Sequence, residues 1–563
     1  ALSKTFSMCN FNFFFKNSFL SAIRLKKLYF KMLNNNLFTA ISIKLVQSSY
    51  ILNSLFYQVK LLKMELEKRK YIFSCHKLMN DLKNKTIKEL RSMIPDPEKV
   101  LKAADEWGLG PKSKELIKRA LKVESLGAMA FSEFETVPII DRSGDGATVY
   151  DVDGKSYIDL MAGFSVNNVG YKNKEILEAI VKQYEKLPQY AEMFSEERIE
   201  LGEKLCSITP GNFEKKVFYS LTGSEANEIA IKLVRIYTGK PYIITQYGDY
   251  HGRTIGTIPF THSFSTWFQQ YPIPSLDIGV ARIPFPYGYR CPCGKFDDEE
   301  DCANECLHYV DYMLSSSYYG LCDSSKKLCD VSAFLIEPFQ SAAGYYIPPK
   351  NWLPSLYKLA KEHGILFVVD EIQAGMGRTG KWWAIQHYPE VEPDITIIGK
   401  ALGGGLPFQA TIGRQEIMDS WGPGAHSSTF AGYFVGVAAA LATIKYMEKS
   451  NLIEKARING EYFLKLLNEL KSRHPMIGDV QGKGLYLGVE FIKDREKTPA
   501  TKETTWLTMK LLQMGVMVKK AGYFRNRFAI SPPLTIEKEE IEKAVELLDK
   551  AIGETEKNFN IRY

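Results

Sequence analysis

Two short runs set the frame of this chain: Ile365-Leu-Phe-Val-Val-Asp370-Glu-Ile-Gln373 and Asp394-Ile-Thr-Ile-Ile-Gly-Lys400-Ala. Each is apolar, rich in β-branched residues, of strand length, and stops abruptly on a charged residue. Such runs read as parallel strands buried on both faces, with Asp370 and Lys400 delivered to carboxyl ends, where α/β sheets bind ligands. Many sheets end strands in Asp or Lys that only cap helices or form ion pairs, so the surrounding segments decide between the two readings.

An acid and an amine at neighbouring strand tips suit pyridoxal phosphate. The amine forms an imine with the aldehyde, and the carboxylate keeps the ring nitrogen protonated so that the ring acts as an electron sink. Upstream, the strand-like Lys216-Val-Phe-Tyr219 leads through Ser220-Leu-Thr-Gly223-Ser224 into a helix. A Gly-Ser turn there offers free N–H groups and a hydroxyl to a phosphate, or else makes a plain helix cap. Tyr242-Ile-Ile-Thr245 runs on to Tyr250-His251-Gly252-Arg253. Tyr250 is able to stack on a planar ring, whereas His251 reads equally as a structural histidine and is given no acid–base role. Phe164, in Leu160-Met-Ala-Gly-Phe164-Ser, is either a wall of the site or a core aromatic.

The order of patterns supports the same frame. Residues 147–159 alternate around Asp153-Gly154, a hairpin pattern. Val331-Ser-Ala-Phe-Leu-Ile336 is a strand running into Glu337-Pro-Phe-Gln340, and a helix over residues 353–363 returns the chain to the opening strands. Strand and helix therefore alternate as in a doubly wound α/β sheet. Gly375-Met-Gly377-Arg378-Thr379-Gly380 reads as a flexible turn at a ligand edge. From about residue 436 the pattern is helical, then mixed, with a closing helix over 537–552, which describes a smaller α+β domain.

Composition narrows the function classes. The chain carries a formal charge of +7. Residues 1–92 hold 17 Lys and Arg against 4 acids, while the rest holds 55 against 61, so the basic character is confined to the leader and nucleic-acid binding is set aside. The leader's apolar runs are broken by Lys, Asn or Ser, which argues against a transmembrane helix. It reads as a targeting presequence or as sequence upstream of the natural start, with Met79 or Met93 the initiator; we favour the second, and expect a cytoplasmic protein. Six of the nine cysteines fall in a segment that reads as an insertion, residues 290–330: Cys291, Cys293, Cys302, Cys306, Cys322 and Cys329. The spacing C-x-C then C-x3-C is no standard zinc-finger pattern. Disulfides, free thiols and a zinc tetrathiolate are all open, and no metal is assigned.

Taken together and in this order, the segments from about Ala147 to the C-terminus resemble the class III (ω-) aminotransferases, the family of 4-aminobutyrate and ornithine aminotransferases. The resemblance implies the aspartate-aminotransferase-like fold (fold type I) and pyridoxal 5'-phosphate as cofactor. It implies Lys400 as the covalent anchor, Asp370 as partner of the ring nitrogen and Gln373 near the ring hydroxyl. Tyr250 and Ile372 would flank the ring, Gly223 and Ser224 would hold the phosphate, and Glu337 would be a structural acid. Thr429 would reach the phosphate of a neighbouring subunit, so a homodimer with shared sites is implied. The domains expected are a basic extension over 1–92, an N-terminal segment over 93–175 packing with the small domain, a large cofactor-binding domain over 176–435, and a small domain over 436–563.

Two departures bear on substrate. Relatives that use glutamate carry an acid two residues after the Gln of the Glu-Pro-x-Gln segment and an Arg four residues before the Pro of the final Pro-Leu. Here those positions are Ala342 and Ala529. Loss of both halves of that switch argues against 2-oxoglutarate as the preferred acceptor. Arg253 remains as a carboxylate-binding candidate, and Arg527, two residues from Ala529 and so on its face of a strand, is a candidate replacement or a surface residue. Expected is amino transfer by a ping-pong mechanism from an amino acid, by default a 4-aminobutyrate-like ω-amino acid, to a keto acid. The alternative is an amino-acid racemase or epimerase of the same fold, for which Ala342 supplies no second acid–base group. A non-catalytic scaffold is disfavoured by the presence of both Asp370 and Lys400.

Overall fold

A computed structural model describes residues 96–125, 143–263, 279–294, 298–323, 325–326, 328–562. The leader and its boundary at 92 lie outside the described residues. Residues 95–563 form one compact unit.

Seven strands make the central sheet: β1 (Lys215–Ser220), β2 (Tyr242–Gln246), β3 (Val280–Ile283), β4 (Val331–Ile336), β5 (Leu366–Asp370), β6 (Ile395–Ile398) and β7 (Gln409–Arg414). Their order across the sheet is β1-β7-β6-β5-β4-β2-β3, with only β7 antiparallel to its neighbours. All six residues of β4 and all four of β6 are buried, including the small polar Ser332 and Thr396, as their nearly continuous apolar sequences predict. Helices cover the sheet. α1 (Gly223–Thr238) begins at the tip of β1, with the Thr222 hydroxyl accepting from the Glu225 N–H, and it packs Ile229, Ala230, Leu233 and Val234 inward. The helix Trp352–Glu362 buries Trp352, Leu353, Leu356 and Ala360, one stripe at helical spacing.

The expected hairpin forms, Thr148–Tyr150 pairing antiparallel with Ser156–Asp159. Its outer strand pairs in parallel with Val516–Met517, a link across the whole chain length that no local pattern signals. The insertion contains α2 (Glu299–Ser315) and a two-stranded ribbon closed by a Cys322–Cys329 disulfide. The C-terminal part holds an antiparallel sheet of β8 (Ile477–Lys483), β9 (Tyr486–Phe491), β10 (Lys519–Ala521) and β11 (Arg527–Ile530), in the order β8-β9-β11-β10. The closing helix, Lys538–Asn558, runs nearly two turns beyond the expected end. The Gly375 to Gly380 turn, expected to be flexible, is pinned by fully buried Arg378, which donates to the Leu485 carbonyl at 3.2 Å as well as to the Pro532 carbonyl and Asn168. A buried guanidinium keeps its place only where its donors find acceptors, so this turn is a strut.

Candidate active site

The carboxyl ends of β4, β5 and β6, the loop after β2 and the start of α1 converge on one cavity of about 220 Å³. Gly223, Ser224, Tyr250, Glu337, Asp370, Ile372, Gln373 and Lys400 all line it. Eight of the residues expected from sequence are thus brought together from five separate segments.

Asp370 is the best-anchored member. Its carboxylate accepts from the Ile372 N–H at 3.0 Å, from Asn227 Nδ2 at 2.9 Å and from His251 Nδ1 at 2.9 Å. His251 is 1% exposed and stands between Asp370 and Asp249. Burial opposes its protonation, but hydrogen bonds to the two carboxylates outweigh that and raise its pKa to about 10. His251 therefore stays a cation and holds Asp370 in place, a positioning role the sequence reading did not assign. Burial, with Asp249 and Asp370 adding repulsion, lifts Glu337 to about 8; its carboxyl accepts from the N–H and hydroxyl of Ser341.

Lys400 begins a short turn at φ +46°, a strained conformation for a non-glycine residue. Gly399 makes that turn possible: a Cβ there would lie 1.3 Å from Gln409 Oε1, the atom that accepts the Lys400 N–H. The Lys400 amine donates to Gln373 Oε1, and Gln373 Nε2 donates to the Tyr345 hydroxyl at 2.7 Å, which is 2.8 Å from Ser531 Oγ. Burial, then repulsion by Lys519, lowers the Lys400 amine to about 7, against the attraction of Glu337 and Asp370. An amine at that value is available as a base near neutral pH.

The set fits pyridoxal phosphate. The first-turn N–H groups of α1 and Ser224 suit a phosphate dianion, Asp370 suits a protonated ring nitrogen, and among the described residues Lys400 is the one lysine that lines the cavity. The Oδ1 of Asn227 and the Oγ of Ser220 are buried beside this region with no hydrogen-bond partner within the protein. When bound, the cofactor supplies the electron sink for cleavage of a bond to the substrate's amine-bearing carbon.

The Aminotransferase class-III family model matches residues 130–552. The chain belongs to the class III aminotransferases. It is a pyridoxal-phosphate-dependent enzyme of fold type I, as the resemblance implied. A leucine/methionine racemase from Thermococcus litoralis is 38% identical over 74% of this chain and 91% of its own length. An isoleucine 2-epimerase from Lentilactobacillus buchneri is 37% identical over 74% of this chain and 90% of its own length. Among solved structures, an aminotransferase from Bacillus anthracis matches with a TM-score of 0.70 and 30% identity, over 79% of this chain and 100% of that one.

The remaining candidates lie elsewhere. Arg253 is exposed at the rim, its N–H donating to Ser224 Oγ at 3.2 Å and its guanidinium 5.9 Å from the Tyr250 ring centroid. Thr429 is exposed and outside the lining; its carbonyl accepts from Gln189 Nε2 at 2.6 Å. Arg527 is fully buried and does face the same side of the small sheet as Ala529, yet it is not brought to the cavity. It pairs with Asp479 at 3.2 Å and Glu490 at 3.5 Å and donates to the Gly344 carbonyl at 2.8 Å. Its charge is already matched, so the structure makes it a brace rather than a substitute anchor.

Lys519 is the residue that sequence reasoning missed. It sits directly across from Ala529 in the register of β10 and β11, so the two side chains share a face. It is 8% exposed, its amine lies 5.1 Å from the Phe164 ring centroid, and its charge is felt at Lys400. Phe164 itself lies in a left-handed segment, φ +63°. The resemblance offers Ala529 as a lost arginine; only the cross-strand register reveals a cation opposite it.

Proposed function

We propose that this enzyme works at the α-carbon of a neutral α-amino acid and passes its amino group to a keto acid in a ping-pong cycle. The observation that carries the reading is Lys519 opposite Ala529: it restores one positive charge where the arginine is absent, close enough to Lys400 to repel it. An α-carboxylate held by Lys519 would leave the α-proton beside the Lys400 amine. Lys400 would take that proton at its amine, and Asp370, held by His251 and Asn227, would be placed to keep a bound ring nitrogen charged. Glu337 and Tyr345 hold the surrounding wall. The 4-aminobutyrate-like donor implied by the resemblance stays within this proposal as the alternative donor class, with Arg253 at the rim as anchor for a distant carboxylate. Without an acid at 342 and an arginine at 529, pyruvate or glyoxylate is expected to be used at least as well as 2-oxoglutarate.

The reading includes a homodimer. Supporting it, Leu177, Tyr184, Tyr190, Met193, Phe194 and Phe430 are each at least half exposed, and Thr429 lies beside them. A face this apolar is expected to be covered by a second copy, checked by light scattering. Among the described residues no helix is long and apolar enough to cross a membrane. A cytoplasmic setting is part of the proposal, testable by cell fractionation.

A second reading is favoured by the names of the two relatives: racemisation, in which the proton returns to the α-carbon. Incubating L-leucine or L-isoleucine in heavy water, with and without pyruvate, separates the two. Alanine formation from pyruvate is expected. Loss of optical purity with deuterium uptake and no keto product would replace transfer by racemisation; activity confined to 4-aminobutyrate would overturn the α-amino-acid assignment.

A further inference from the structure

Four of the insertion's cysteines converge in space although they come from two segments. Cys291 and Cys293 follow the turn Gly288–Arg290, and Cys302 and Cys306 lie one helical turn apart on a single face of α2. The sulfurs of Cys291, Cys302 and Cys306 all lie within 4.8 Å of one another, and Cys293 Sγ is 3.3 Å from Cys306 Sγ. Cys302 and Cys306 are fully buried, Cys291 is half-buried and Cys293 is exposed.

We propose that these four thiolates form a structural zinc site. Zinc bonds thiolate sulfur at about 2.3 Å in a tetrahedron, which spaces the sulfurs about 3.8 Å apart; the 3.3 Å contact and the 4.8 Å bound here bracket that value. A disulfide requires about 2.05 Å, and none joins these cysteines, in contrast to Cys322 and Cys329 nearby. A multi-iron cluster would hold its sulfurs further apart than this. Zinc fills all four positions with protein sulfur, so the site is closed and has no catalytic role. Each thiol that binds gives up its proton to solvent, and the metal remains divalent throughout.

The site ties α2 to a segment that braces the small sheet. The Tyr287 hydroxyl, four residues before Cys291, lies 2.8 Å from the Asp479 carboxylate and 2.7 Å from that of Glu490, and Arg290 pairs with Glu490. Those same two acids hold Arg527. Zinc at the cysteines would therefore fix the position of the brace behind β11 without touching the cofactor cavity. The proposal does not depend on the substrate reading, since it stands on cysteines outside the cavity.

The test is metal analysis of the full chain purified without chelators from zinc-supplemented cells, with native and denaturing mass spectrometry of the same sample. Stoichiometric zinc is expected, lost on denaturation and released by a mercurial as four thiols titrate. Cys293→Ser, at the exposed ligand, is expected to weaken zinc retention against a chelator by about tenfold or more while leaving the bound-cofactor absorbance unchanged. Cobalt in place of zinc should give the intense visible bands of a tetrahedral thiolate site. Four alkylatable thiols without metal, a mapped Cys293–Cys306 disulfide, or zinc retained by a Cys302→Ser/Cys306→Ser variant would each overturn the site.

Discussion

The cofactor cradle and the wall of the small sheet face each other, and they are built in opposite ways. In the cradle each key side chain sits at a strand tip or helix start and is held by buried partners: Asp370 by three donors, Lys400 by Gln373 and the turn after Gly399. On the wall the position that would bear the arginine is Ala529, with Lys519 opposite it on the neighbouring strand, while the position of the switching acid, Ala342, lies in the loop after β4. The cradle thus carries chemistry common to the family, and under the proposed function the wall sets the choice of substrate. Arg527 and Lys519 sharpen the contrast. Both are buried cations on one face of the sheet, but Arg527 is held by Asp479 and Glu490, whereas the charge of Lys519 is felt at Lys400.

That division is open to attack by substitution. Lys400→Ala should abolish transfer, lowering kcat by about 10³-fold or more, because the proton carrier and the covalent anchor go together; single-turnover absorbance changes check it, and residual turnover near wild type would break the cradle half. Arg527→Met should cost about 3–5 kcal/mol of stability by stranding Glu490, with KM for a donor nearly unchanged; thermal unfolding and steady-state kinetics read the two effects separately. Lys519→Met should do the reverse, raising KM for an α-amino acid by roughly 10- to 100-fold with little change in melting temperature. Tyr345→Phe, which cuts the link from Gln373 to Ser531, should lower kcat/KM only about fivefold.

The pH profile gives a finer cut. The Lys400 amine is depressed to about 7, so its basic form is present above that pH and is lost as pH falls through it. Activity should therefore show an acid limb near neutrality. Removing the Lys519 charge takes away a repulsion, so the Lys400 pKa rises and the limb moves to higher pH in Lys519→Met. An unmoved limb would mean that Lys519 does not act on the cavity.

Sequence reveals what is local in the chain. The buried runs ending at Asp370 and Lys400, the Gly223-Ser224 helix start and the Asp-Gly hairpin all depend on neighbours a few residues away, and all appear where expected. What escaped depends on distant pairing. His251 reaches Asp370 across 119 residues, and Asn227 reaches it across 143. The reading of Arg527 as sharing a face with Ala529 holds, because strand alternation is local, but its partners Asp479 and Glu490 stand on two other strands. Lys519 was invisible for the same reason: only the register of β10 against β11 sets it opposite Ala529. The four cysteines are a milder case, since helical spacing aligns Cys302 with Cys306 but nothing local brings Cys291 to them.

The central claim is that one amine, that of Lys400, carries both the cofactor and the proton while a second amine, that of Lys519 across from Ala529, holds substrate. Borohydride reduction of the holoenzyme followed by peptide mapping tests it directly. One pyridoxyl group per chain, on the peptide containing residue 400, is the predicted result; a tag on Lys519, or on neither, would contradict the account.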